Sequence, residues 1–349
     1  MKAKLIFLAA GSVLVLGLLA GQPQAQQNVL NVFNWSEYID PGIVKDFEKK
    51  FNVKVNYSLY ESNEDLISKL EVGGKEQYDV VVPGQYAVPI MVKKGLLLKL
   101  DKSQIPNFKN LSKKFVNTSY DPNNGYSIAY QWGTVGIVYD KKKLKNPDQT
   151  WGLLFDKSKQ KGAFVMMDSI REMIGPALLY LGKSLNSTKP EDLKQALEIM
   201  VEAKGRSLGF DGGVGARNKV AAGQAVYGVA YNGDCVKMQD ENPNIGYFVP
   251  KEGTVVFVDN MSVSAGSRNP KMAHAFINYI LDPKVGARLS NYNRYATPNE
   301  AAKPFINVKD VKNPGIYPSD SVMKKLEFIL DLGAGNKLYD AVWTKLKAR

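Results

Sequence analysis

The most constraining feature is a regular alternation of short apolar runs with amphipathic stretches that begins at Val29 and later restarts. Val29 to Trp35 reads as a strand. Asp40-Pro41 then opens a helix carrying Ile43, Val44, Phe47 and Phe51 on one face. Val53 to Leu59 is a second strand, and Asn63 caps a helix with Leu66, Ile67 and Leu70 that stops at Gly73-Gly74. Tyr78 to Val82 is a buried strand ended by Pro83-Gly84. Such a β-α-β-α-β order predicts a mostly parallel sheet with helices on both faces.

After the turn-rich Asp121-Pro-Asn-Asn-Gly125, an extended stretch from Tyr126 to Tyr139 leads into a second round. It reads as strand Ala163–Met167, helices Arg171–Leu181, Pro190–Ala203 and Lys219–Gly223, and strand Ala225–Tyr231. Val255–Val258 and Met261–Ala265 follow as extended chain, then helices Pro270–Leu281 and Pro283–Asn291. Ser319 to Lys347 reads as helical with a break at Gly333-Ala-Gly335. No internal sequence repeat is visible.

Lys2 and Lys4 precede an apolar run from Leu5 to Ala20 and a small-residue segment ending at Ala25, the pattern of a cleaved signal peptide over 1–25. A membrane anchor is the competing reading, but the run falls short of the roughly 20 residues a spanning helix needs. Removing it leaves about 324 residues, more than one core usually carries, so two domains are expected. Cleavage also takes two lysines, lowering the net charge from +12 to +10. That surplus is scattered, as at Lys93-Lys94, Lys141 to Lys143 and Lys324-Lys325, with no basic stripe among aromatics. It predicts a solvated surface and no nucleic-acid partner.

Catalytic equipment is sparse. The single histidine, His274, sits on an apolar helical face, and the single cysteine, Cys235, has no histidine near it. Neither a hydrolytic triad nor a histidine-based metal site is expected. Gly213-Val-Gly215 lacks the third glycine of a dinucleotide fingerprint, and Asp121 to Gly125 reads as a turn. No cofactor and no metal follow from these residues. An exported α/β enzyme using carboxylates is the rival of a different class.

Two α/β halves imply a cleft, and in open sheets ligands sit beyond the carboxyl ends of the strands. The residues there are Asn34 to Tyr38, Pro83 to Tyr86, Asp168-Ser169, Tyr231 to Asp234 and Phe257 to Asp259. Aromatic rings stand beside carboxylates throughout. These stretches resemble the periplasmic spermidine/putrescine-binding proteins of ABC importers. The matching segments include Asn34-Trp-Ser-Glu-Tyr38, Tyr60-Glu-Ser-Asn-Glu64, Asp121-Pro-Asn-Asn-Gly-Tyr-Ser127, Gln131-Trp-Gly133, Arg171-Glu172, Asp259-Asn-Met261 and Tyr295-Ala-Thr-Pro-Asn299.

The resemblance implies a two-lobed periplasmic-binding-protein fold of type II, with mixed, mostly parallel sheets and two hinge crossovers. It implies lobes of about 27–134 plus 259–303 and 135–258 plus 304–349. It also implies a monomer that captures a polyamine, putrescine or spermidine, and delivers it to a membrane permease. Trp35, Ser36 and Tyr38 would form one wall with Tyr86 behind them. Glu172 would be an acid on the other lobe, Phe257 an aromatic wall, Asp259 the principal amine-binding carboxylate and Tyr295 a further contact. Tyr231 stands where members often carry Trp, and Asp234 where putrescine-preferring members carry an acid.

Three departures leave ligand length open. Gly84 replaces a hydroxyl residue, Ser169 aligns with an Asp that Asp168 stands next to, and Ile329 replaces a polar residue. Another organic cation such as agmatine or thiamine, and a polyamine-sensing role, remain alternatives. The chemistry suits an ammonium. A buried cation needs charge-assisted hydrogen bonds, and aromatic faces add about 0.5–2 kcal/mol each.

Overall fold

The computed structural model describes residues 28–348, so the expected signal peptide lies outside the described residues. The strands are β1 Val29–Trp35, β2 Lys54–Tyr60, β3 Val80–Val81, β4 Leu97–Leu98, β5 Ser127–Asp140 and β6 Phe164–Met167. They continue as β7 Phe210–Asp211, β8 Tyr227–Tyr231, β9 Ile245–Phe248, β10 Val255–Ser264 and β11 Glu327–Phe328. The path through them is β2-β1-β3-β10-β5-β8-β6-β7, with β4 and β11 pairing β10 and β9 pairing β5.

Parallel pairing holds where the alternation predicted it, in β1 with β2 and β3 and in β6 with β7 and β8. Every antiparallel pairing between the named strands involves β5 or β10. These two long strands lie side by side in the middle of the path. Both feed separate cores. Ile128 and Tyr130 of β5 and Met261 and Val263 of β10 pack with Leu30, Val32 and Phe47. Val135, Ile137 and Val255 pack instead with Trp151, Phe164, Tyr227 and Tyr339. A third cluster, around Phe33, Tyr60, Leu66 and Val81, covers the opposite face of β1 and β3. Successive β1 side chains thus point to opposite faces, as strand geometry requires.

Local chemistry explains the element starts. Asp40 accepts a hydrogen bond from Gly42 N at 2.8 Å, capping the helix Pro41–Phe51. The next helix, Asn63–Glu71, is capped by Ser62 and not by Asn63, because Ser62 Oγ accepts from Asp65 N at 3.1 Å. Asn63 is thereby free for another task at the site. Asp121 accepts from the backbone N–H groups of Gly125, Tyr126 and Ser127, which makes its segment a turn. His274 is buried; its Nε2 accepts from Asp101 N at 3.0 Å and its Nδ1 lies 2.7 Å from Pro270 O, so both ring nitrogens serve the fold.

Three expectations are revised. The helix expected at Lys219–Gly223 runs from Gly213 to Ala221. Val255 to Ser264 is one strand with a bulge between Asp259 and Asn260. Within Ser319–Lys347 only Asp320–Met323 and Asn336–Ala348 are α-helical; Glu327-Phe328 instead pairs in parallel with Val255-Val256. Helices Ala87–Lys93 and Asn232–Glu241 were not anticipated.

Candidate functional site

At the carboxyl ends of β1, β6 and β8, and alongside the β10 bulge, lies a cavity of about 640 Å³. Every site residue expected from sequence lines it. Trp35, Ser36 and Tyr38 follow β1; Gly84 and Tyr86 follow β3; Asp168, Ser169 and Glu172 follow β6. Tyr231 ends β8 and Asp234 follows in the next helix, Phe257 and Asp259 come from β10, and Tyr295 enters after the helix Pro283–Asn293.

Asp259 is buried at the bulge, bridged to Gly84 through the backbone. The Tyr38 hydroxyl donates to its Oδ2 at 2.6 Å. Burial raises its carboxyl to about 7, Glu172 adds to the rise, and the Tyr38 hydrogen bond opposes it. Glu172 stands in the first turn of the helix Ile170–Tyr180. Its Oε2 accepts from Ser169 Oγ and from Tyr231 Oη, each at 2.7 Å. Burial raises its pKa as well, against those two hydrogen bonds. Asp234, in the first turn of Asn232–Glu241, is pushed up to about 6 by burial, with the Arg217 charge pulling the other way. Carboxyls whose pKa burial lifts toward neutral pH, grouped in a cleft, have the pattern of a functional site.

Rings frame these acids. Tyr231 meets Phe257 edge-on at 5.4 Å, Phe257 meets Tyr295 at 6.0 Å, and Tyr295 meets Tyr38 at 5.1 Å. Trp35 is fixed by its indole N–H donating to Val82 O at 2.9 Å and by the Tyr60 ring at 4.6 Å. Tyr86 donates to Glu64 Oε1 at 3.2 Å, so Glu64 serves the wall as well as its helix start.

The departure at Gly84 has a steric counterpart. Gly84 N donates to Asn63 Oδ1 at 2.9 Å, and a Cβ on residue 84 would lie 2.9 Å from Asn63 Nδ2. The amide of Asn63 thus stands where a side chain at 84 would project. At the neighbouring position Ser169 turns to Glu172, whereas Asp168 pairs with Lys347 at 2.8 Å.

Sequence reasoning missed several lining residues. Gln85 is buried; its Oε1 accepts from Val258 N at 2.9 Å and its Nε2 donates to Ile329 O at 3.3 Å. Gln85 lay inside a strand-end stretch and was detectable. Asn63, Asp211, Gly213 and Trp343 also line the cavity, and only Asn63 had a local signal, in its place at a helix start. Tyr292, near Tyr295 in sequence, lies under the Lys237 ammonium at 4.5 Å and outside the cavity.

The chain matches the family described as bacterial extracellular solute-binding protein over residues 42–318. It is 36% identical to the putrescine-binding periplasmic protein SpuD of Pseudomonas aeruginosa over 353 aligned positions, covering 95% of each chain. It is 34% identical to the spermidine/putrescine-binding periplasmic protein of Escherichia coli, covering 98% of this chain and 97% of that one. Among solved structures, it is similar to the spermidine/putrescine ABC transporter substrate-binding protein PotD of Streptococcus pneumoniae. The TM-score is 0.80 at 29% identity, over 92% of this chain and 99% of the other. The architecture is therefore the two-lobed one of periplasmic binding proteins.

Proposed function

This chain belongs to the bacterial extracellular solute-binding protein family, and we infer that it captures a polyamine, putrescine or spermidine, for an ABC importer. The observation that carries this reading is the pair of buried carboxylates at Asp259 and Asp234 with half-buried Glu172, framed by aromatic rings in one cavity. Among the described residues, no cation contributes to holding Asp259 ionised. A ligand with separated ammonium groups supplies the countercharge that Asp259 lacks, and its methylenes suit the rings between the acids.

The lobes are proposed as 27–134 plus 259–303 and 135–258 plus 304–349. In support, β5 and β10 change cores between Tyr130 and Val135 and between Val255 and Met261. Closure of the lobes brings Trp35, Ser36, Tyr38, Gly84, Tyr86 and Asp259 against Asp168, Ser169, Glu172, Tyr231 and Asp234, with Phe257 and Tyr295 between. The protein works as a monomer in the periplasm after loss of its signal peptide. It binds without catalysis and passes its ligand to a membrane permease. His274 and Cys235, both buried, serve the fold.

Calorimetry of the mature protein against putrescine, spermidine, spermine and agmatine tests the reading. Saturable heat with putrescine or spermidine is expected. Absence of heat and of any thermal shift with all four refutes it.

A further inference from the structure

Four of the carboxylates lining the cavity are held in two ways. Glu172 and Asp259 receive hydroxyls from Ser169, Tyr231 and Tyr38, which orient them and leave their charge unneutralised. Asp168 and Asp211 instead receive ammonium groups of the chain itself, Lys347 and Lys219, each at 2.8 Å. The Lys347 pairing has the composition of an amine site. Its ammonium lies over the Phe210 ring at 4.1 Å and the Trp343 ring at 5.3 Å, and those two rings meet edge-on at 5.4 Å. A carboxylate and two π faces around an ammonium are what the cavity interior offers a ligand. Asp168 and Trp343 both line the cavity, so this box opens into it.

Lys347 is presented by a docked element. It stands on the helix Asn336–Ala348, where Tyr339 and Leu346 are buried. Tyr339 donates to Leu185 O at 2.8 Å and stacks under the Arg171 guanidinium at 4.6 Å. Lys204 Nζ donates to Leu346 O and Lys347 O, each at 3.0 Å. On the other side, Asp168 N donates to Asp211 O at 2.8 Å, which fixes the backbone from which the carboxylate projects.

We propose that Lys347 is a specificity-determining residue that occupies an ammonium position beside Asp168 and so shortens the binding site. A diamine satisfies the interior acids. A longer polyamine reaching the half-exposed Asp168 competes with a lysine already held on its Oδ1. This rests on the polyamine reading above and adds the length preference that the departures at Ser169 and Ile329 left open.

The test is calorimetry with putrescine and spermidine at fixed pH and salt on four proteins: the wild type, K347A, K345A and K347A/D168N. Lys345 is exposed on the same helix, so K345A controls for bulk charge. In K347A, spermidine is expected to bind about fivefold tighter, with putrescine changed by less than about twofold. D168N on that background removes the gain. A spermidine-to-putrescine ratio that moves by less than about twofold in K347A overturns the inference, as does an equal gain in K345A. Wild-type protein that binds neither amine refutes the polyamine reading itself, a result distinct from an unmoved ratio.

Discussion

At Asp259 a single carboxyl carries both charge and pH sensitivity. Asp259→Asn keeps the shape and the hydrogen bond to Tyr38 but removes the negative charge, so affinity for putrescine or spermidine should fall about tenfold or more by calorimetry. Its pKa of about 7, and that of about 6 at Asp234, are raised above the ordinary carboxyl range. Below these values the acids are protonated, while the ligand amines keep their charge, so binding weakens as pH falls. A drop of about tenfold per unit below pH 6 is expected, with about one proton released per ligand bound over that range and release vanishing above pH 7. Affinity that is flat or rising between pH 8 and 5 contradicts the assignment. The sign for the unliganded fold is opposite: protons are bound more tightly folded than unfolded, so its stability declines as pH rises through 4 to 7. The strand-end acids were legible because they interrupt apolar runs beside aromatic residues. Trp343 and Lys347 were not, since nothing local ties the last helix to Asp168.

Elements differ in how well their pattern announces them. The helix Pro41–Phe51 buries Ile43 and Phe47 and is readable from spacing alone. Gly213–Ala221 buries Gly213, Ala216, Arg217 and Val220, small or charged residues that leave no apolar stripe, so its first turns read as loop. Glu327-Phe328 gains strand conformation only by pairing with Val255-Val256, which no local rule anticipates. The helix Asn232–Glu241 begins under Tyr295, and a Cβ at Gly233 would fall 2.6 Å from that ring. Gly233→Ala should therefore destabilise the fold by about 1–3 kcal/mol and weaken ligand affinity, because Tyr295 and Asp234 shift together. Chemical denaturation and calorimetry check the two effects. Unchanged stability contradicts this packing.

Across the whole molecule, capture of ligand should appear as added stability. At a ligand concentration about a hundredfold above Kd, unfolding should cost about 2.7 kcal/mol more, seen as a rise in melting temperature that grows with the logarithm of concentration. A concentration-independent shift points to a nonspecific ionic effect. The same scale shows what order of synthesis imposes. β10 lies between β3 and β5, yet it follows β3 by about half the chain's length. Val80-Val81 finds its antiparallel partners only at Ser262-Val263. At about 5–20 residues per second, β3 waits about 10–35 s with one edge bare. Through that interval the sheet is incomplete, and the bare edge of β3 is a row of unpaired N–H and C=O groups that templates pairing with another chain.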